Sequence, residues 1–152
     1  MRLIASIALC GLAAALGSLV TITGPGSWYI QIAKPFFTPP GWVFGPVWTT
    51  LYILMAIALY LVWMEGFDRK DVRIAISLFL VQLVLNVLWS YLFFGMQSPL
   101  LGFIEIVILW IAILVTIIAF WRIRRLAAIL LIPYLCWVTI ATALTWSIFV
   151  LN

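Results

Sequence analysis

Five long apolar runs, nearly free of charge, constrain this chain more than any other feature. They extend from Leu3 to Ile22, Val47 to Met64, Ile74 to Phe94, Leu100 to Trp121 and Leu126 to Leu151. A helix needs about 20 apolar residues to cross the hydrocarbon layer, so each run is a candidate transmembrane helix. Membrane strands are the poor alternative, because the runs are long, rich in Leu and Ala, and lack an alternating polar face. In the 152 residues, 68% are hydrophobic, 8% are charged and none is histidine. A water-soluble domain is excluded, as it runs nearer half apolar and a quarter charged. With two cysteines and four acids besides, neither a metal cluster nor a Ser-His-Asp triad can be assembled. The fold class expected is an all-α membrane bundle of five helices forming one domain over residues 1–152.

A basic residue followed by an apolar stretch also describes a signal peptide, so the run after Arg2 has two readings. Its reach to Ile22 favours a span, and Gly11, Ala13, Ala14, Ala15, Gly17 and Ser18 would let a neighbouring helix approach closely. If all five runs cross, one side holds Arg2, Arg69, Lys70, Arg73, Arg122, Arg124 and Arg125, and the other only Lys34. That asymmetry places the N-terminus in the cytoplasm and the C-terminus outside, in a prokaryotic cell membrane. It also accounts for the net charge of +4 without a nucleic-acid partner.

The segment from Gly24 to Pro46 departs from the rest. It carries Pro25, Pro35, Pro39, Pro40 and Pro46 together with Trp28, Tyr29, Phe36, Phe37, Trp42 and Phe44. So many prolines exclude a continuous helix, and so many aromatics would not lie comfortably in water. The expectation is an ordered lid, residues 24–46, packed on the end of the bundle. An aromatic belt at the headgroups is the alternative for Trp28 and Trp42.

Trp28-Tyr29, Lys34-Pro35, Pro39-Pro40-Gly41 and Val47-Trp48 with Leu51-Tyr52 and Met55 resemble the first loop and second helix of the tryptophan-rich sensory protein / translocator protein family, also called the peripheral benzodiazepine receptor family. The likeness continues in order through Gln82-Leu83, Asn86, Trp89-Ser90 and Phe93-Phe94, then Glu105 and Leu109-Trp110, then Pro133-Tyr134-Leu135, Trp137, Ala141 and Leu144. It implies a five-helix bundle, often a homodimer, with a pocket under the first loop. It implies binding of porphyrins and other tetrapyrroles, of sterols in animal relatives, and of synthetic isoquinoline carboxamides and benzodiazepines. Transport, sensing or regulation, and light-dependent porphyrin breakdown have all been proposed for the family.

The residues support a pocket independently. Trp48, Tyr52 and Met55 share a helix face at i, i+4 and i+7, as do Gln82, Asn86 and Ser90 at i, i+4 and i+8, with Trp89 beside them. Polar groups at that depth should face the bundle. Flat conjugated ligands would stack on Trp48 and Trp137. The candidate ligand-binding residues are Tyr29, Lys34, Pro39, Phe44, Trp48, Tyr52, Asn86, Trp89, Ser90, Trp137 and Ala141. Lys34 or the Tyr29 hydroxyl is the expected partner for an acidic ligand tail, a solvated or snorkelling lysine being the alternative. Asn86 and Gln82 could equally bond a neighbouring helix. Met55 and Leu144 are read as packing, and Ala141 as the small residue that leaves room for a ring.

Glu105 lies about five residues into its span, so a structural role near the interface is favoured over proton relay. A proton-coupled exporter would need a deeper carboxylate. Cys10 and Cys136 are expected to pack as small apolar residues. Thr145 stands where many relatives have Asn, and no Tyr, Lys or Arg follows Trp137, so the animal sterol pattern is unsupported. A porphyrin as ligand, with no cofactor and no metal, is the leading expectation. An enzyme would have to be a photo-oxidase using Trp48 and Trp137, there being no acid/base pair.

Overall fold

The computed structural model describes residues 2–21 and 26–152. Among them the regular structure is helical: α1 Arg2–Ser18, a single turn α2 Trp28–Gln31, α3 Gly41–Trp63, α4 Lys70–Ser90, α5 Pro99–Ile123 and α6 Arg125–Leu151. The last four, with α4 continued to Gly95, are long and apolar enough to cross a membrane. Helix is the form these sequences take in lipid because it satisfies every backbone hydrogen bond internally. α1 is apolar but only 17 residues long. The end of its expected run, Ile22, and the first residues of the expected lid, Gly24 and Pro25, lie outside the described residues.

Around the bundle the helices follow the order α1, α3, α6, α5, α4, with α4 returning to α1. Connections between neighbours are short: Arg124 alone separates α5 from α6, and Met96 to Ser98 separate α4 from α5. α4 ends in a π-helical stretch, Tyr91–Gly95, whose wider turn points Phe93 and Phe94 into the core. Ser98 then caps α5, its Oγ accepting from the Leu101 N–H at 3.2 Å, with Pro99 in the first turn. Gly102 lets α5 approach this stretch closely. A Cβ there would stand 3.1 Å from the Phe93 ring.

The two ends of the bundle differ in charge. At one end the Arg2 guanidinium donates to the Trp63 carbonyl at 3.4 Å and Arg124 pairs with Glu65 at 3.6 Å. At the other, Trp28 packs edge-on against Phe93 with centroids 5.4 Å apart, and Asn152 bonds to Ala33.

Several sequence-based boundaries move. α3 starts at Gly41 rather than Val47, so Trp42, Phe44 and Pro46 belong to a helix and not to the loop. Pro46 is tolerated near the start of α3, where only the Trp42 carbonyl loses its partner. α4 starts at Lys70, four residues before the apolar run, because Asp71 accepts from the Val72 N–H in the first turn. Pro133 likewise lies inside α6.

Candidate ligand-binding site

All the candidate residues except Lys34 are divided between two cavities that share a wall. The larger, about 990 Å³, is an open cleft between α1 and α3. Small residues of α1 form one side (Gly11, Ala14, Ala15, Gly17 and Ser18), and Trp42, Phe44, Trp48 and Tyr52 of α3 form the other. Asn86 and Ser90 of α4 close its back. The smaller, about 20 Å³, is a void beneath the loop, bounded by Tyr29, Pro39, Trp89, Trp137, Ala141 and Thr145 among others. Phe44 and Trp48 line both, so these two rings are the partition.

The aromatic side chains cluster around the partition. Trp48 lies 5.8 Å from Tyr52, 6.4 Å from Tyr134 and 6.4 Å from Trp137, the last pair perpendicular. Phe44 packs edge-on against both Tyr29 at 5.9 Å and Trp137 at 5.8 Å. Trp89 stacks on Phe93 at 5.1 Å, which aligns it with the core instead of the cleft. Such pairs contribute about 0.5–1.5 kcal/mol each beyond area burial, so the partition is a stiff one.

Behind the cleft runs a chain of side-chain hydrogen bonds across three helices. Tyr52 Oη donates to Asn86 Oδ1 at 2.6 Å, Asn86 Nδ2 donates to Tyr134 Oη at 2.6 Å, and Tyr134 Oη donates to Gln82 Oε1 at 2.8 Å. Asn86 thus bonds neighbouring helices, and it also lines the cleft. Tyr134 is the fully buried centre of this chain. Tyr29, Trp89 and Trp137 border the small void, and their polar atoms, Tyr29 Oη, Trp89 Nε1 and Trp137 Nε1, are buried with no hydrogen-bond partner among the described residues.

Other residues fall elsewhere. Lys34 lines neither cavity. Its Nζ donates to the Tyr29 carbonyl at 2.7 Å and the Ile32 carbonyl at 3.2 Å, and sits 4.8 Å from the centre of the Tyr29 ring. It caps the single turn α2 instead of standing free for a ligand carboxylate. Tyr29 itself is 3% exposed, and burial pushes its hydroxyl pKa up to about 12. Glu105 does not reach the interface: it is 5% exposed and neither carboxyl oxygen has a hydrogen-bond partner among the described residues. It falls on the face of α5 that carries Gly102, Ile106 and Leu109, which is turned to the core. Met55 and Leu144 pack as expected, and so does Cys10; Cys136 is exposed on the outer face of α6, and the two cysteines are unbridged.

Sequence reasoning missed the contribution of α1. Leu3, Ile7, Cys10, Ala14, Gly17 and Thr21 recur at spacings of three or four, and all line the cleft. The small size of Gly11, Ala14, Ala15, Gly17 and Ser18 signalled helix contact, yet between α1 and α3 it leaves room for the cleft.

The sequence profile of the TspO/MBR family matches residues 6–151. The tryptophan-rich protein TspO of Chlorobaculum tepidum is 48% identical, over 98% of this chain and 97% of that protein. The protein of the same name from Archaeoglobus fulgidus is 45% identical over 100% of this chain and 97% of its own. The translocator protein of Homo sapiens is 39% identical over 80% of this chain and 72% of its own. A match over nearly the full length, on a helical membrane bundle carrying the tryptophan cluster, establishes that this chain is a multi-pass membrane protein of the TspO/MBR family.

Proposed function

We propose that this protein binds tetrapyrroles and similarly flat, apolar molecules in the cleft between α1 and α3, and does so for transport, sensing or regulation. The observation that carries the reading is the cleft itself: about 990 Å³, walled by Trp42, Phe44, Trp48 and Tyr52 and opposed by small α1 residues. Ligand cavities of this size are mostly apolar with a few placed polar groups, here Tyr52, Asn86 and Ser90. Among the described residues no charged one lines the cleft, so ligand carboxylates would project from its mouth. The segment from Gly26 to Pro40 acts in this reading as a lid. α1 makes a fifth crossing with its N-terminus in the cytoplasm, as the basic end at Arg2, Arg69, Lys70, Arg73, Arg122, Arg124 and Arg125 supports. The homodimer that the family resemblance implies belongs to the same proposal.

The test is titration of the purified protein with protoporphyrin in the dark, followed by tryptophan fluorescence. Saturable quenching that weakens in Trp48→Phe supports the reading; unsaturable quenching, unchanged by that substitution, refutes it. A second reading, light-dependent porphyrin breakdown, is favoured by one observation. Trp48 faces the cleft with Trp137 and Tyr134 each 6.4 Å away, close enough to pass on an oxidising equivalent from an excited ring. Illumination decides it, since product that forms only in light and is lost in Trp48→Phe requires the enzyme.

A further inference from the structure

The cleft changes character along its length. α3 runs from Gly41 at the loop end to Trp63, whose carbonyl accepts from the Arg2 guanidinium of α1 at 3.4 Å, so the two helices are antiparallel and meet at the basic end. From the loop as far as Tyr52 the walls are aromatic, with Trp42, Phe44 and Trp48, and carry polar side chains in Thr49, Asn86 and Ser90. Beyond Tyr52 both kinds stop. Leu3, Ile7 and Gly11 of α1 face Ile53, Ala56 and Ile57 of α3 across the rest, none of them aromatic and none with a side-chain oxygen or nitrogen. Cys10 and Ala56 are buried as the floor of this part, whereas Ile7 and Ile53 stand more than half exposed at its edges. Gly11 borders open space, since a Cβ there would meet nothing within 4 Å. Between Gly11 and Leu3 the groove follows α1 for about 12 Å, at 1.5 Å per residue.

We infer that this aliphatic half of the cleft is a subsite for a hydrocarbon chain, so that the preferred ligand is a flat ring carrying a long aliphatic tail. This rests on the cleft being the ligand site. The ring finds stacking partners only at the loop end, among Trp42, Trp48 and Tyr52. The tail then lies between α1 and α3 and points toward Arg2. Lipid is as apolar as the groove, so removal from water does not favour the tail's place there. Two other effects do: dispersion contacts with walls on both sides, and the tether to the ring, which holds the tail beside its groove at high local concentration. A polar substituent in the same place would be left without a hydrogen-bond partner, which is costly.

The test compares protoporphyrin monomethyl ester with the monododecyl ester, which share the ring and the remaining carboxylate and differ only in the tail. Tryptophan quenching in one detergent gives the affinity of each for wild type, Ile7→Phe and Gly11→Leu. Comparing proteins cancels the tail's partition into micelles. Both substitutions fill the groove from α1 at places with room for a larger side chain. Each should cost the dodecyl ester at least about fivefold more than the methyl ester, as lost contacts of the tail. Equal loss of the two esters, or no loss of either, in both variants overturns this inference alone if wild type binds free protoporphyrin. Failure of free protoporphyrin to bind wild type overturns the reading of the cleft and this inference with it.

Discussion

Asn152 grips the backbone of Ala33 with both ends of its amide. Its Oδ1 accepts from the Ala33 N–H at 3.1 Å, and its Nδ2 donates to the Ala33 carbonyl at 2.9 Å and to Ile148 at 2.8 Å. A side chain at the end of α6 thus pairs with the loop as a neighbouring strand would. Each bond is worth about 0.5–1.5 kcal/mol net. Asn152→Ala is expected to speed amide exchange around Ala33 by roughly tenfold and leave the midpoint of global unfolding nearly unchanged. Asn152→Asp, which keeps the acceptor and loses the donor, should fall between. Amide hydrogen exchange with mass spectrometry checks both.

Lys34 is tied to the same loop by its bonds to the Tyr29 and Ile32 carbonyls. Lys34→Met is therefore expected to loosen the loop and to reduce affinity for a dicarboxylate porphyrin and for its neutral ester by the same factor. A loss confined to the dicarboxylate, measured by fluorescence titration, would restore Lys34 as a direct partner of the ligand.

Asn86 joins α3 to α6 through Tyr52 and Tyr134. Replacement by Leu is close in size but takes the acceptor from the half-buried Tyr52 hydroxyl and leaves the buried Tyr134 hydroxyl only its bond to Gln82, at about 1–3 kcal/mol in all. Thermal unfolding in detergent should show Asn86→Leu markedly destabilised, and a double substitution with Tyr134→Phe less destabilised than the sum of the two single ones.

Gly102 sits against Phe93, where a Cβ would make a tight contact of 3.1 Å with the ring. Gly102→Val is expected to force the π-helical stretch away from α5 and to cost about 1–3 kcal/mol by overpacking. A thermal midpoint equal to wild type would show that the stretch can give way.

The helices were legible in the sequence because lipid demands long apolar runs, and four of the five appear as helices long enough to cross. Their ends were less so. Pro46 reads as a helix breaker, yet in the first turns of α3 it removes a single hydrogen bond, which the sequence does not reveal. Within the site, helical spacing placed Trp48 with Tyr52 and Gln82 with Asn86, and the structure keeps both pairs. Spacing could not show that Trp48 and Phe44 are a wall with a cavity on each side, nor that Lys34 would be consumed by its own loop. Small residues of α1 carry no chemistry to mark them, and only the neighbouring helix shows whether they pack closely or leave a gap.

The cleft and the void make separable demands on a ligand. Ala14 faces the cleft from α1, while Ala141 borders the void. Protoporphyrin titrations of Ala14→Phe and Ala141→Thr therefore test the account most directly. It predicts a loss of affinity of at least about tenfold for Ala14→Phe, since a ring would occupy the ligand's place. Ala141→Thr should weaken binding less, through pressure on the Phe44 and Trp48 partition. Unchanged affinity in Ala14→Phe beside a large loss in Ala141→Thr would contradict the account and place the ligand beneath the loop.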